Sequence, residues 1–360
     1  MKTTIRKIPL FAMLALGLAP AILLAQGIEI PAGGSMVCTG AATIEINNGS
    51  FVNNGTYTKG SETFSMSGTT NPRSISGTAL SDFYNLSITN SGGVSIAYDA
   101  KVTVSHTLSN TVGVDGLILK STAAGTASLI ESTAGISATV ERYLADYVTI
   151  PDYRFHLLSS PVAAQPIQPE FVGNAPIPLY TDFYAFDEPT NMWINTRAAG
   201  NVWNTSFESN FTVGKGYLVA YPDVVTKNFK GTLNTYSAPL VLNCTYTAGQ
   251  GNGWNLLGNP FPSAIDWEAV ALGDGMDNAL YYYDNDAQNY RYYLQLPGES
   301  GALGSGQRYI PAMQGFMVHA KSSGTKTVSI DNNARTHSGQ DVFYKSANTL
   351  PGSFSLKVEG

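Results

Sequence analysis

Tyr281, Tyr282, Tyr283, Tyr290, Tyr292 and Tyr293 crowd around the run Asp284-Asn285-Asp286-Ala287-Gln288-Asn289. Adjacent tyrosines on one strand point to opposite faces, so some of these phenol rings must face outward. Exposed rings beside Asn and Asp supply what a glycan requires, a flat apolar surface with oriented hydrogen bonds. Tyr283, Asp284, Tyr290 and Tyr292 are therefore the ligand-binding candidates. The plainer reading is that Tyr populates the surface of a low-charge β-protein. The same run offers oxygen ligands at alternating positions, as calcium sites do. It lacks the glycine and the distal Glu of a calcium loop, so an exposed turn is preferred; calcium stands as the secondary reading and no other cofactor is implied.

The elements that must hold these residues are strands. Charged residues make up 13% of the 360-residue chain, about half the usual share, and Gly, Tyr, Asn, Ser and Thr fill the gap. Between residues 26 and 138 short apolar doublets alternate with polar residues. "NNGSFV" (Asn47–Val52) is followed at once by "NNGTYT" (Asn53–Thr58), and Leu86/Ile88, Val94/Ile96 and Val102/Val104 recur eight residues apart. Such alternation, with Gly and Asn at the turns, points to a β-solenoid in which each coil buries its face on the next. An antiparallel meander or sandwich gives the same one-dimensional pattern.

From residue 139 the prolines and tryptophans appear, and landmarks recur. Leu157-Leu158 and Pro161 align with Leu256-Leu257 and Pro260 at an offset of 99. Tyr184 to Asp187 aligns with Tyr281 to Asp284 at 97, and Gly216-Tyr217 with Gly315-Phe316 at 99. Three landmarks in one order at nearly one spacing mark residues 139–240 and 241–345 as two copies of a β-sandwich-like unit. Residues 346–360 then begin a further strand or tail. Helix is scarce; "SAIDWEAVAL" from Ser263 is the best candidate, with Ser263 as its cap. The fold class is all-β, a solenoid followed by two duplicated units.

Catalytic signatures are lacking. There is no Gly-x-Ser-x-Gly elbow, His-Glu-x-x-His helix, phosphate-binding loop or Cys-x-x-Cys pair. His106, His156, His319 and His337 are scattered. Ser159 and Ser160 lie beside His156, but the second copy has Gly258 and Asn259 there, which suits a turn and not a nucleophile. Asp266/Glu268 and Glu131/Glu141 are carboxylate pairs of the kind glycoside hydrolysis uses, but any chain of this size contains such pairs. No catalytic residue is assigned, and the chain reads as a non-enzyme.

Lys2, Arg6 and Lys7 precede an apolar run from Ile8 to Ala25, the layout of a secretory leader cut after Ala25. Its removal leaves 17 Lys and Arg against 26 Asp and Glu (20 − 3 = 17), a net charge of −9. Nucleic acid and anionic membranes are therefore poor partners. No second run is long enough to span a membrane, and Cys38 and Cys244 read as buried thiols. The mature protein is expected outside the cell or on its surface.

"GWNLLGNPFPSAIDW" (Gly253–Trp267), "YIPAMQGFMVHA" (Tyr309–Ala320), "ERYLADY" and "FYNLSITNSGGVSI" resemble segments of large secreted and cell-surface proteins of the Bacteroidota. In that group Gly-rich β-repeats precede such modules, and a C-terminal β-domain directs export by the type IX system. No such sorting domain follows "GSFSLKVEG" in this sequence. The resemblance transfers no catalytic residue. It implies an adhesin-type or structural surface protein whose partners are extracellular glycans or host and cell-surface proteins. A glycan-binding accessory protein is the alternative, and a secreted glycan hydrolase the third reading.

Overall fold

The computed structural model describes residues 22–25, 27–70, 72–145, 155–285, 289–295 and 306–340. Most of the expected leader and the whole of the 346–360 tail lie outside these residues. The last residues of that leader, Ile22–Ala25, form a strand paired in parallel with Thr43–Asn47.

The chain winds between two parallel sheets. The first runs Ile22–Ala25, Thr43–Asn47, Thr63–Ser67, Leu80–Ile88, Lys101–Asn110 and Ser128–Ile130. The second runs Ile28–Ile30, Phe51–Asn53, Arg73–Ser76, Val94–Ile96, Leu117–Leu119 and Ser137–Leu144. Every turn of the chain gives one strand to each sheet, which makes a β-solenoid of about five turns. Parallel pairing decides against a meander, whose neighbouring strands run antiparallel. Partners in the second sheet pass from Phe51 to Ile75, Ile96, Leu119 and Val140, steps of 21 to 24 residues. The eight-residue spacing of the doublets is thus a step between sheets: Leu86/Ile88 and Val102/Val104 lie in the first, Val94/Ile96 in the second.

The Asn-Asn-Gly triplets are the corners of one coil. Asn48 Oδ1 accepts the N–H groups of Thr69 and Thr70 one coil on, at 2.9 and 3.0 Å. Asn54 Oδ1 accepts Thr78 N–H at 3.1 Å. Each amide therefore satisfies the turn backbone of the next coil, which a shorter or apolar side chain would leave bare. Gly77 sits at φ +102°, and a Cβ there would meet the Asn53 carbonyl oxygen at 2.2 Å.

Inside the solenoid Phe51, Phe64 and Phe83 are fully buried, with ring centroids 4.8 to 5.4 Å apart. Beside them lies a buried carboxylate. Glu62 accepts the Tyr57 hydroxyl at 2.7 Å, Gly60 N–H at 2.6 Å and Tyr84 N–H at 3.2 Å, so its burial leaves no oxygen bare. Cys38 and Cys244 are both free and buried, in separate cores. Burial raises both thiols, that of Cys244 to about 12.

The two later units share one topology. In the first, antiparallel neighbours follow the order His156–Leu158, Tyr217–Ala220, Asp182–Asp187, Met192–Asn195. In the second the order is Trp254–Gly258, Gly315–Ala320, Met276–Asp284, Asn289–Leu294. A preceding and a following strand also pair in each case, Ser137–Leu144 with Val225–Thr232 and Leu240–Cys244 with Lys326–Ile330. Position 138/139 falls inside Ser137–Leu144, which closes the solenoid's second sheet and opens the first unit. One continuous core accordingly runs from Ile30 through the solenoid to Phe229.

No α-helix occurs among the described residues. The segment expected as a helix from Ser263 is instead the strand Ala264–Asp266, a 3-10 turn over Trp267–Ala269 and the strand Ala271–Leu272. Ile265 and Trp267 are fully buried at alternate positions, and Ile265 pairs with both Ile310 and Arg335, so strand pairing overrides the helical pattern. Asp266, and not Ser263, caps the turn by accepting Glu268 N–H.

Phe64→Ala removes a ring packed between two others and is expected to cost about 3–5 kcal/mol of stability in denaturant titration. A loss under about 1 kcal/mol would mean that the aromatic column is not what holds the coils together.

Candidate functional site

The expected tyrosine face divides in two. Tyr282 is fully buried and donates its hydroxyl to Tyr309 O, whereas Tyr290 and Tyr292 remain 43% and 40% exposed. Tyr281 and Tyr283 are half-buried against a cluster formed by Leu157, Leu256 and Met317, where the two units meet. Tyr290 stands edge-on to Tyr283 at 5.5 Å, and Tyr292 is tilted to Tyr281 at 6.1 Å. The four rings therefore form a packed ladder with two outer members and not one open platform. Asp284 is ion-paired with Arg291. Asp286, Ala287 and Gln288 lie outside the described residues, and no group of three metal-ligating side chains occurs among the described ones.

Most of the other groups that the sequence offered for chemistry are held in structural contacts; the Ser159 hydroxyl is buried without a hydrogen-bond partner. Arg308 sits between Asp266 and Glu268, with Nη1 at 2.6 Å from Glu268 Oε2 and a forked contact to Asp266. Tyr293 donates to the same Glu268. Glu141 pairs with Lys120. His156 donates Nε2–H to Ala145 O at 2.9 Å, and Ser160 donates to Val162 O at 2.8 Å, so neither is free for a nucleophile–base pair. His319 donates Nε2–H to Asn252 O at 2.8 Å while Nδ1 faces Asp277.

The seam between the two units is self-matching. Leu158 bridges Gln314, and its equivalent Leu257 bridges Lys215, the equivalent of Gln314. Ser159 N–H donates to Met313 O, and Gly258 N–H to Gly214 O, both at 2.8 Å. The turn after each Tyr-rich strand clamps the other unit. Asn285 exchanges two hydrogen bonds with the backbone of Phe155, at 2.7 and 2.9 Å. Glu188 accepts Thr247 N–H at 2.6 Å and Gly253 N–H at 3.0 Å. Glu188 is 4% exposed just beneath the surface. Burial pushes its carboxyl up, but the N–H groups of Gly253 and Thr247 outweigh that and hold it below the usual range.

Beside the Glu188 clamp lies a cleft of about 360 Å³ whose walls include Phe186, Glu188, Gly214, Lys215, Asn243 and Leu256. Most of its polar walls are already engaged: Lys215 with Glu208 at 2.7 Å, Asp187 with Thr190, and Asn255 with Thr245. Gly214 has φ +75°, and a Cβ on it would strike Leu242 at 2.3 Å. Its counterpart Met313 keeps the same left-handed backbone at φ +60° and buries its side chain completely.

The second unit docks on the solenoid through a buried polar junction. Arg335 donates to Leu129 O at 3.2 Å, to Glu131 O and to Ser263 Oγ, and it lies 4.7 Å over the Phe261 ring. The Glu131 carboxyl accepts only Thr133 N–H, and its Oε1 is buried without a hydrogen-bond partner. His337 meets Thr103 Oγ1 at 2.9 Å and Ser128 Oγ at 2.7 Å, one with each ring nitrogen. Burial outweighs the attraction of Arg335 and raises Glu131 to about 7. Burial, with Lys101 and Arg335 nearby, lowers His337 to about 4 against a weaker upward pull from Asp82. Burial also lowers Arg335 to about 10 against the pull of Glu131.

A family model described as a domain of unknown function, DUF8693, matches residues 39–353. The chain belongs to the DUF8693 family. No curated protein and no solved structure matches it. The DUF8693 match begins in the first coil and runs past both units, so the family spans solenoid and duplication together, as the shared strand and the junction do.

The residues of this junction lie more than two hundred positions apart, so no local pattern marked them. Their titration has a definite sign. Glu131, raised from 4.5 to about 7, contributes stability that is full below pH 4.5 and lost as pH rises toward 7. His337, lowered from 6.5 to about 4, contributes stability that is full above pH 6.5 and lost as pH falls toward 4. The two slopes oppose each other in the DUF8693 protein. Glu131→Gln should leave a melting temperature that climbs from pH 4 to 6.5, and His337→Asn one that falls from pH 4.5 to 7. Parallel melting curves for both variants would show that the junction does not control this pH range.

Proposed function

We propose that this is a non-catalytic structural or adhesin-type protein that works outside the cell, at the surface or released from it. The observation that carries this reading is Ser137–Leu144, a strand common to the solenoid and the first unit. A strand shared along eight residue pairs suits a stiff spacer that presents its faces at fixed angles, not a hinged enzyme that closes on substrate. The engagement of Asp266, Glu268, His156 and Ser160 in structural contacts supports the same reading. The leader-like residues 1–25 and the resemblance to exported Bacteroidota proteins support the extracellular location. Its partners are extracellular glycans or surface proteins.

The alternative places glycan contact at Tyr290 and Tyr292. It is less well supported, because each ring gives an edge or face to a neighbouring tyrosine.

Amide exchange tests the spacer. Peptides covering Val225–Thr232 and the solenoid strands Leu117–Leu119 and Lys101–Asn110 should lose protection together on addition of denaturant. Earlier release of Val225–Thr232 alone would mean that unit and solenoid move as separate bodies. Tyr290→Ala with Tyr292→Ala is expected to leave retention on insoluble polysaccharides unchanged.

A further inference from the structure

The first solenoid sheet carries an ordered polar surface on its outer side. Its parallel registers align Thr43, Thr63, Asn85 and Thr107 in one column, and Glu45, Ser65, Ser87 and Ser109 in the next. All eight alternate along their strands with buried Ile44, Ile46, Phe64, Met66, Leu86, Ile88 and Leu108, so all eight face away from the core. Pairing fixes the spacing: about 4.8 Å between strands and about 6.7 Å between columns. Ser65, Ser87 and Ser109 take no side-chain partner among the described residues. The array is neutral apart from Glu45, which accepts the Ser67 hydroxyl.

A bulge interrupts the pairing between Val104 and Thr107 and turns His106 outward. There His106 stacks on Tyr84 with centroids 4.7 Å apart and planes 7° from parallel, beside the Asn85–Thr107 pair. Below the bulge the chain itself already uses this face. Thr103 and Ser128, on neighbouring strands, hold both nitrogens of His337 with hydroxyls 2.9 and 2.7 Å away. Two hydroxyls offset by two residues on neighbouring strands thus hold a flat hydrogen-bonding group on the sheet, one that the pairing of Arg335 and Thr336 with Ile265 and Ala264 also positions.

We infer that the outer face formed by Thr43, Thr63, Ser65, Asn85, Ser87, Thr107 and Ser109 is a docking surface for an extended, neutral polysaccharide, with Tyr84 and His106 as its aromatic margin. The inference rests on the reading of the protein as an extracellular contact module and names the partner class. A polysaccharide presents donors and acceptors at every sugar ring, which the hydroxyls of Ser65, Ser87 and Ser109 match on three successive strands, whereas Asn85 is already bonded to Thr63 Oγ1 at 3.3 Å and to His106 Nδ1 at 2.9 Å. A polyanion is disfavoured by Glu45 and by the net charge of −6. A peptide strand docks on an unpaired sheet edge and not on a face whose backbone is already bonded.

The test is retention of the full chain on cellulose, chitin and mannan, with heparin as the anionic control. The wild type should be held by at least one neutral polymer and not by heparin, and salt of about 0.5 M should not release it, because no counterions are exchanged. Ser65→Gln with Ser87→Gln puts bulk on the array without charge, and should weaken retention about tenfold while the melting temperature stays within a few degrees. The Tyr290→Ala, Tyr292→Ala chain should bind as the wild type does. The inference falls if no neutral polymer retains the wild type, if salt releases it, or if the serine variant binds normally. It also falls if the tyrosine variant is the one that loses binding, which would move the glycan site to the second unit. Failure of the spacer reading would instead appear in amide exchange, which does not depend on any ligand.

Discussion

A parallel solenoid ends in a strand whose outer N–H and C=O groups have no next coil to meet. That edge must be paired or covered, since an open one recruits other chains. Here Ser137–Leu144 resolves the constraint by belonging to two structures. Its inner edge completes the second solenoid sheet beside Leu117–Leu119, and its outer edge takes Val225–Thr232 in antiparallel register. Once those pairs form, the first unit has no freedom to turn about the solenoid. Phe229 enters the core that contains Val140, and the remaining strands follow from that placement. The other sheet ends in Ser128–Ile130, where Leu129 donates N–H to Pro262 O of the second unit. The C-terminal edge of each wound sheet is therefore closed by the duplicated pair.

The duplicated pair behaves as a two-fold dimer written in one chain. In such a contact residue i of one copy meets j of the other and j meets i, which is how Leu158/Gln314 and Leu257/Lys215 are arranged. Departures from the symmetry occur where the surroundings differ. The opening strand of the first copy leaves for the solenoid, while that of the second stays in a small sheet with Lys326–Ile330. Gly214 leaves a cleft open on one side, whereas Met313 accepts a left-handed backbone, worth about 1–2 kcal/mol of strain, and fills its side. Met313 belongs to the core shared with the solenoid, so the packing that offsets its strain exists in only one of the two positions.

The duplication was legible because its landmarks are the residues that make the seam. Leu157, Leu256 and the glycines before Tyr217 and Phe316 cannot change without altering both halves of the contact. The coil repeat was harder to read, since successive doublets belong to different sheets and the true period is hidden between them. The Ser263 segment misled for a related reason: Ile265 and Trp267 alternate as strand residues do, but Asp266 and Glu268 imitate the start of a helix. Of the tyrosine group, the alternation required only that some rings face outward and others inward; Tyr290 and Tyr292 are outer rings, and Tyr282 and Tyr293 are buried. It could not foresee that the first unit covers part of the face carrying Tyr281 and Tyr283.

The contrast between the two attachments of the solenoid is itself informative. The first unit is joined by eight backbone residue pairs and apolar contact, a register that leaves it no freedom to slide. The second unit is joined by Arg335 and His337, whose donors meet named acceptors at fixed directions. Burying a guanidinium is unfavourable unless its donors are matched, so only one orientation of the unit makes the junction tolerable. The first attachment thus sets its unit through backbone register, and the second sets its unit through directional side chains. With the seam between the copies already fixed by symmetry, a single directional junction is enough to set the second unit against the solenoid.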